Sequence, residues 1–279
     1  MMPNRKPHVS KILNLGLVYA VLGLTALVVF LPLVVVISSS FKTEMEMFST
    51  PITLIPRAPT MDNFAALLDK FPLYLFNSFK VTVTITVIQA VTALMGGYAL
   101  SKLKWRGKNV IFVFFISSIM IPIQVYIIPQ FIVIKTLGLY DTHLALILVS
   151  SFTAIGIFLA RQFFLTIPDS YIEAARMDGA NHFYIFMRII LPLSRPVIAT
   201  IAVLSFRYWW NDLFTPLIYL TSPELKTLPL GLSDFVSEFD VYYGPQMAAS
   251  LVAIIPVVFI YVLAQKYIVK GVMFSGVKG

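Results

Sequence analysis

Residues 171–192 read YIEAARMDGANHFYIFMRIILP, polar and turn-prone at the start and apolar at the end. Ser170, with Glu173 three residues on, has the spacing of a capping box, in which each side chain satisfies an orphan backbone donor at a helix start. Gly179 suits the left-handed residue that closes a helix, and Asn181 can cap a second one. The stretch predicts a helix-turn-helix knob: Ala174 and Ala175 let another backbone approach, while Tyr171, Ile172 and Met177 add apolar area beside Glu173, Arg176 and Asp178. On these residues alone, Glu173 either serves only its capping box in a plain connector or belongs to a docking surface.

Outward from that knob the chain is built for lipid. Of its 279 residues 58% are hydrophobic and 12% charged, and the mean hydropathy is +0.86; soluble domains carry about a quarter charged residues. A hydrocarbon core about 30 Å thick takes about twenty apolar residues of helix. Six segments qualify: residues 15–37, 77–100, 110–134, 142–164, 185–204 with a short continuation, and 247–267. Within the second, VTVTITV at 81–87 alternates like a strand, but a lone strand in lipid leaves its backbone groups unpaired, so the whole segment is read as helix. The first run, behind MMPNRKPHVSK, is too long for a signal-peptide core and no small-x-small cleavage site follows, so it reads as a retained anchor.

Charge sets the orientation. Fourteen bases against three acids fall on the side that holds the start of the chain, the loop of Lys102, Lys104, Arg106 and Lys108, the knob, and the end of the chain; the other side has six bases against nine acids. By the positive-inside rule both termini and the knob are cytoplasmic, as an even number of spans requires. The expectation is therefore an all-α, six-span protein forming one transmembrane domain over residues 1–279. Its cytoplasmic parts are an N-terminus of about residues 1–14, a knob-bearing loop of about 165–188 and a tail of about 268–279. Two long outer loops remain, residues 38–76 and 221–245. MDNFAALLDK at 61–70 reads as an interfacial helix packed on the bundle or as a contact for an external partner.

Several chemistries are excluded. There is no cysteine, and His8, His143 and His182 are too scattered to share a metal from one helix. No G-x-x-x-x-G-K-[ST] occurs, since Gly107-Lys108 lacks the earlier glycine. No Ser-His-Asp or paired-carboxylate set converges, so no catalytic residue and no cofactor is assigned. The bases are spread between apolar runs and the knob is tethered at both ends, so nucleic acid is not a partner. The bilayer is.

Polar groups inside spans cost about 2.5 to 3.5 kcal/mol per charge at mid-membrane and need a partner or water. Arg207 and Asp212 flank Tyr208, Trp209, Trp210 and Asn211. These residues are either an aromatic belt with snorkelling charges or part of a translocation path where flat rings stack on sugar faces. Gln124, Gln130 and Gln246 are either cavity residues or interhelical glue. Prolines 32, 122, 129, 192, 196, 216 and 256 each remove a helix donor and bend or break a span unless neighbours compensate.

Glu173-Ala174-Ala175, then Gly179, then Ile189, Leu191 and Pro192 match without a gap the EAA signature of the membrane permeases of binding-protein-dependent ABC importers, a family the chain resembles. NSF at Asn77, GGYALSKLKWRG from Gly96, MIP at Met120, GLYDTH from Gly138, Trp210-Asn211, TLPLGL from Thr227 and the closing KGVMFSGVKG are similar to the carbohydrate-uptake branch and its smaller maltose permease. The chain departs from the pattern at Arg176-Met177-Asp178 and at Val272-Met273-Phe274.

The resemblance implies a bacterial or archaeal cytoplasmic-membrane subunit that is not itself an enzyme. It would work with a second homologous permease, two cytoplasmic ATPase subunits that carry ATP and Mg, and an extracytoplasmic solute-binding protein. It also implies an ATPase-coupling role for Glu173, Ala174, Ala175, Gly179, Leu191 and Pro192, and a sugar as solute, with Trp209, Trp210, Asn211, Gln124 and Gln246 as candidate path residues. A permease for another solute such as glycerol phosphate is the alternative. A stand-alone ion-coupled carrier needs ionisable residues at mid-membrane, and only Asp212 comes near.

Overall fold

The apolar run of residues 15–37 makes most of α1 (His8–Ser40), whose 33 residues carry only Pro32 as an internal breaker. Its stretch Asn14–Ser40 is long and apolar enough to cross a membrane, at about 1.5 Å per residue roughly 40 Å of helix. Leu17, Leu24 and Val29 are each 67% exposed, as expected of a helix whose solvent is lipid. The computed structural model describes residues 8–51, 53–235 and 242–276, with side chains from 14 to 266, and among these no strand occurs. The start of the expected cytoplasmic N-terminus, residues 236–241 of the second loop expected outside, the last three residues of the expected tail, and the side chains of Val272, Met273 and Phe274 lie outside the described residues.

The chain divides into two units: residues 1–69 with 235–252, and residues 70–234 with 253–279. In the first, the chain after α1 folds back on the helix end. Asn63 Nδ2 donates to Ser40 O at 3.0 Å and to Lys42 O at 2.8 Å, and Lys42 Nζ donates to Thr53 O. Arg57 N donates to Glu46 Oε1 at 2.7 Å, which holds that carboxyl below the usual range. The expected amphipathic helix at 61–70 is corrected here: only Asp62–Ala65 is helical. Its asparagine closes the carbonyl end of α1, a bond that helix periodicity does not announce.

The second unit is arranged around α2 (Phe71–Ser101), which is continuous through VTVTITV. It packs mainly against α6 (Ala154–Leu165) and α9 (Arg195–Trp210). Toward its C-terminal end Ala93, Leu94, Tyr98 and Leu100 share a core with Ile157, Ala160, Phe164, Ile185 and Ile201. Toward its N-terminal end Val81 and Ile85 pack with Ala145, Leu146, Tyr219 and Leu230.

Three of the six expected spans are not straight. α3 (Lys108–Ser118) and α4 (Ile123–Thr136) meet at 100°, α5 (His143–Val149) and α6 at 46°, and the helix His182–Leu193 meets α9 at 79°. Among the described residues, only α1, α2 and α12 (Tyr243–Gly276) include a continuous span. The breaks have local causes. Pro122 precedes α4 and cannot donate, Thr153 Oγ1 accepts from Gly156 N at 3.2 Å to start α6, and Pro196 follows the break at Ser194. The carbonyls freed at the α5–α6 break are taken up by α2: Gln89 Nε2 donates to Ser150 O at 2.6 Å and Thr92 Oγ1 to Ser151 O at 3.2 Å. Irregular backbone at membrane depth survives only where protein satisfies it.

The end of this unit remote from the knob is tied by hydrogen bonds to the segment after α10 (Phe214–Tyr219). Asp141, at φ 58°, accepts from Thr221 N at 2.8 Å, Ser222 N at 3.0 Å and Ser222 Oγ at 2.5 Å. These donors, the Ser222 hydroxyl first, pull its carboxyl from the ordinary 3.8 down to about 2. Asn77 Nδ2 donates to Glu224 O and Lys226 O, and Ser78 Oγ accepts from Leu228 N at the start of the short buried helix α11 (Leu228–Leu232). NSF and GLYDTH thus fix the segment of residues 221–232.

Candidate functional site

The knob is built as a helix, a left-handed turn and a second helix. α7 (Ser170–Met177) starts on the backbone carbonyl of Asp169, which accepts from Ile172 N at 2.9 Å and Glu173 N at 3.0 Å. The expected capping box between Ser170 and Glu173 is absent: Asp169 is the cap residue, in a helical conformation, and no side chain caps the turn. The Asp169 carboxylate is engaged elsewhere. Lys102 Nζ, at the C-terminal end of α2, donates to Asp169 Oδ1 at 2.6 Å and to Ile167 O at 2.5 Å. The ammonium beside it holds the Asp169 carboxyl below the usual range.

Gly179 closes α7 as expected, at φ 82°. Gly179 N donates to Arg176 O at 3.0 Å and Ala180 N to Ala175 O at 2.9 Å, the paired bonds of a Schellman motif. Asn181 Oδ1 accepts from Tyr184 N at 2.8 Å and starts α8 (His182–Ile185). A π-helical turn, Phe186–Ile190, and the short helix Leu191–Leu193 follow. Tyr98, one turn before Lys102 on α2, places its hydroxyl 3.2 Å from His182 Nδ1 and its ring 5.2 Å from that of Phe186.

Helical spacing divides the knob into two faces, and the division corrects the expected docking surface. Ile172 is buried and Ala175 packs against the same core, with Ala180 and Leu191. Residues 172 and 175 are three apart, so they turn inward together. Glu173 and Ala174 are exposed, as are Tyr171 and Met177, the last at 85%. Past the turn, Phe183, Tyr184 and Met187 are exposed too. Gly179 and Pro192 are also at the surface. The exposed side of α7 thus combines apolar Tyr171, Ala174 and Met177 with Glu173 and Asp178, and the residues after Gly179 add further exposed apolar side chains.

The candidate path residues scatter. Trp210 is removed from that set: it is 2% exposed, stacks on Phe206 at 5.4 Å and donates Nε1–H to Ala253 O at 3.0 Å. A buried indole needs a partner for its N–H, and the last helix provides it. Trp209 lines a small cavity with Thr82, Asp212, Thr215 and Thr227. Asn211 is exposed and donates to Arg207 O of its own helix at 2.7 Å. Asp212 Oδ1 accepts from Phe214 N at 3.2 Å, holding the turn into α10. Gln124 is exposed at the start of α4, while Gln246 is half-buried in α12, in the first unit. Gln130 acts as interhelical glue, accepting from the Tyr219 hydroxyl at 3.1 Å.

The likeness to known proteins falls on this same geometry. A family model described as "Binding-protein-dependent transport system inner membrane component" matches residues 90–274, which include the knob, Tyr98 and Lys102. The inner membrane ABC transporter permease protein YcjP of Escherichia coli is 36% identical, over 94% of this chain and 95% of that one. The arabinooligosaccharides transport system permease protein AraQ of Halalkalibacterium halodurans is 32% identical over 98% of each. The sn-glycerol-3-phosphate transport system permease protein UgpE of Yersinia enterocolitica is 30% identical over 92% of this chain and 95% of that one. The crystal structure of a bacterial ABC transporter involved in the import of the acidic polysaccharide alginate contains a chain that superposes with a TM-score of 0.82 at 27% identity, covering 96% of this chain and 99% of that one. The chain belongs to the family of inner membrane components of binding-protein-dependent transport systems and is an ABC importer permease.

Proposed function

We propose that this chain forms half of the path by which a carbohydrate, a di- or oligosaccharide, is imported across a prokaryotic cytoplasmic membrane, and that the α7 knob receives the force that opens it. The other half comes from a second homologous permease. Two cytoplasmic ATPase subunits bind ATP and Mg and hydrolyse the nucleotide, so this subunit is non-catalytic. An extracytoplasmic solute-binding protein delivers the sugar. The chain works as one permease domain with both termini and the knob in the cytoplasm, the orientation its charge distribution supports.

One observation carries this reading: the knob locks Ile172 and Ala175 into the core while leaving Tyr171, Glu173, Ala174 and Met177 free. An apolar patch on a polar loop costs solubility unless something covers it. Glu173, relieved of any capping duty, is free to pair with a base in the ATPase cleft. Ala174 gives close approach, Gly179 and Pro192 border the face, and Ala175 and Leu191 shape it from behind. The experiment is co-purification of the ATPase with the Glu173→Ala variant together with solute uptake. Removing one partner of a buried interfacial pair costs about 2 to 5 kcal/mol, so both retention and uptake are expected to fall sharply; wild-type values for both would remove Glu173 from the coupling site.

Sugar is favoured as solute by AraQ at 32% identity and by the alginate importer. The UgpE relatives, at 30 to 31% identity, support glycerol phosphate as a second reading. Competition of labelled oligosaccharide uptake by glycerol phosphate in the assembled transporter separates the two.

A further inference from the structure

We propose that Tyr98 and Lys102, one turn apart at the end of α2, are positioning residues that grip both arms of the knob and make α2 and α7 move as one body. This rests on reading the knob as the contact for the motor, and it names the chain's own link between that contact and the membrane core.

Residues four apart on a helix share a face, and here that face meets the knob twice. On the entry arm, Lys102 Nζ reaches Ile167 O at 2.5 Å and Asp169 Oδ1 at 2.6 Å. On the exit arm, the Tyr98 hydroxyl meets His182 Nδ1 at 3.2 Å, and its ring packs on Phe186. The Lys102 side chain is only 4% exposed although its partner Asp169 is 72% exposed. A lysine kept merely to mark the cytoplasmic side would extend its ammonium into water. This one has given up its hydration for two protein oxygens, which is favourable only while both stay in place.

The backbone beside this grip is equally constrained. At Gly97 a Cβ would stand 2.5 Å from Ala160 Cβ and 2.9 Å from Arg161 N, so α2 lies directly against α6, the helix that leads into the entry arm. Rotating the knob about either arm alone would break the Lys102 contacts or the Tyr98 packing. Rotating it with α2 breaks neither. The grip uses none of the exposed residues Tyr171, Glu173, Ala174 or Met177, so the outer face stays available.

The test uses the assembled transporter in proteoliposomes, reading solute moved per ATP hydrolysed. K102M keeps the chain length and loses the charge. It is expected to retain the ATPase subunits as wild type does but to lose about tenfold in transport per ATP, the order of losing a hydrogen bond made by a charged group, and K102R is expected to restore most of it. The chain has no cysteine, which permits a rescue in cysteine-free partners. K102C combined with D169C should be uncoupled, and bridging the two thiols with a short bifunctional reagent should restore transport per ATP. A normal ratio in assembled K102M, whether or not its yield falls, overturns the proposal, as does bridging that leaves the double variant uncoupled. Retention of the ATPase by Glu173→Ala reports separately on the underlying reading.

Discussion

Gly97 of α2 and Ala160 of α6 approach so closely that a side chain at 97 would begin 2.5 Å from the alanine methyl. The nearest neighbours also include the Arg161 backbone nitrogen, at 2.9 Å, which cannot rotate away. Gly97→Val is therefore expected to cost about 1 to 3 kcal/mol or more by forcing the helices apart. At the adjacent Gly96 a Cβ meets the Ile157 side chain, Cδ1 at 3.1 Å and Cγ1 at 3.2 Å, and no backbone, so Gly96→Ala needs a shift of only a few tenths of an ångström and should be milder. Thermal unfolding of the purified complex should rank the two well apart; equal losses would mean that this helix contact is not tight.

Gly179 sits at φ 82°, and a Cβ added there would meet nothing within 4 Å, so any penalty is conformational rather than steric. Gly179→Ala is expected to destabilise the knob by about 1 to 2 kcal/mol, while Gly179→Asn, whose side chain tolerates the left-handed region, should cost less. Proteolytic nicking of the loop gives the measurement. Identical susceptibility of the two variants would count against the Schellman closure as the element that shapes the turn.

Composition and segment length are enough for the all-α class and for the approximate positions of the spans, because burying a backbone in lipid leaves few alternatives. The turn at Gly179 and the cap at Asn181 are legible because glycine and asparagine have local conformational reasons to be there. What is not legible depends on distant partners. Helix periodicity gives no sign that Lys102 abandons solvent for Ile167 and Asp169, nor that Asp169 replaces Ser170 at the start of α7. In the sequence Trp210 suits a path residue because aromatic rings suit sugars, yet its burial against Ala253 is decided by the last helix. The bend at residues 149–154 has no proline to announce it, and its freed carbonyls are taken up by Gln89 and Thr92, on another helix.

Asp141 offers a pH signature. Its carboxyl is held at about 2 against an ordinary 3.8, chiefly by the Ser222 hydroxyl and then by backbone donors. A depressed carboxyl contributes stability that is fully present above the unfolded value and is lost as pH falls through the folded one. The wild-type complex is therefore expected to lose more stability than Asp141→Asn between about pH 5 and pH 3, because the variant has no carboxylate to protonate. Melting temperatures at the two pH values make the check, and parallel losses would sink the assignment. Because Asp141 is only half-buried, the difference should shrink in high salt.

Gln89 is 3% exposed at the centre of the second unit and satisfies two groups at once, donating to Ser150 O at 2.6 Å and accepting from Ser205 Oγ at 2.7 Å. Gln89→Leu would leave a carbonyl at the α5–α6 break and a serine hydroxyl without partners in a medium with no water. An unsatisfied buried group costs about 1 to 3 kcal/mol, so the single variant should be among the most damaging that keep the volume of the site. Adding Ser205→Ala removes one stranded hydroxyl and should recover part of the loss, whereas Ser205→Ala in the wild-type background should itself destabilise. The double-mutant cycle on thermal stability isolates this coupling. If the effects of the two substitutions simply add, the network does not hold the broken helix, and the 46° bend between α5 and α6 must be stabilised by packing alone.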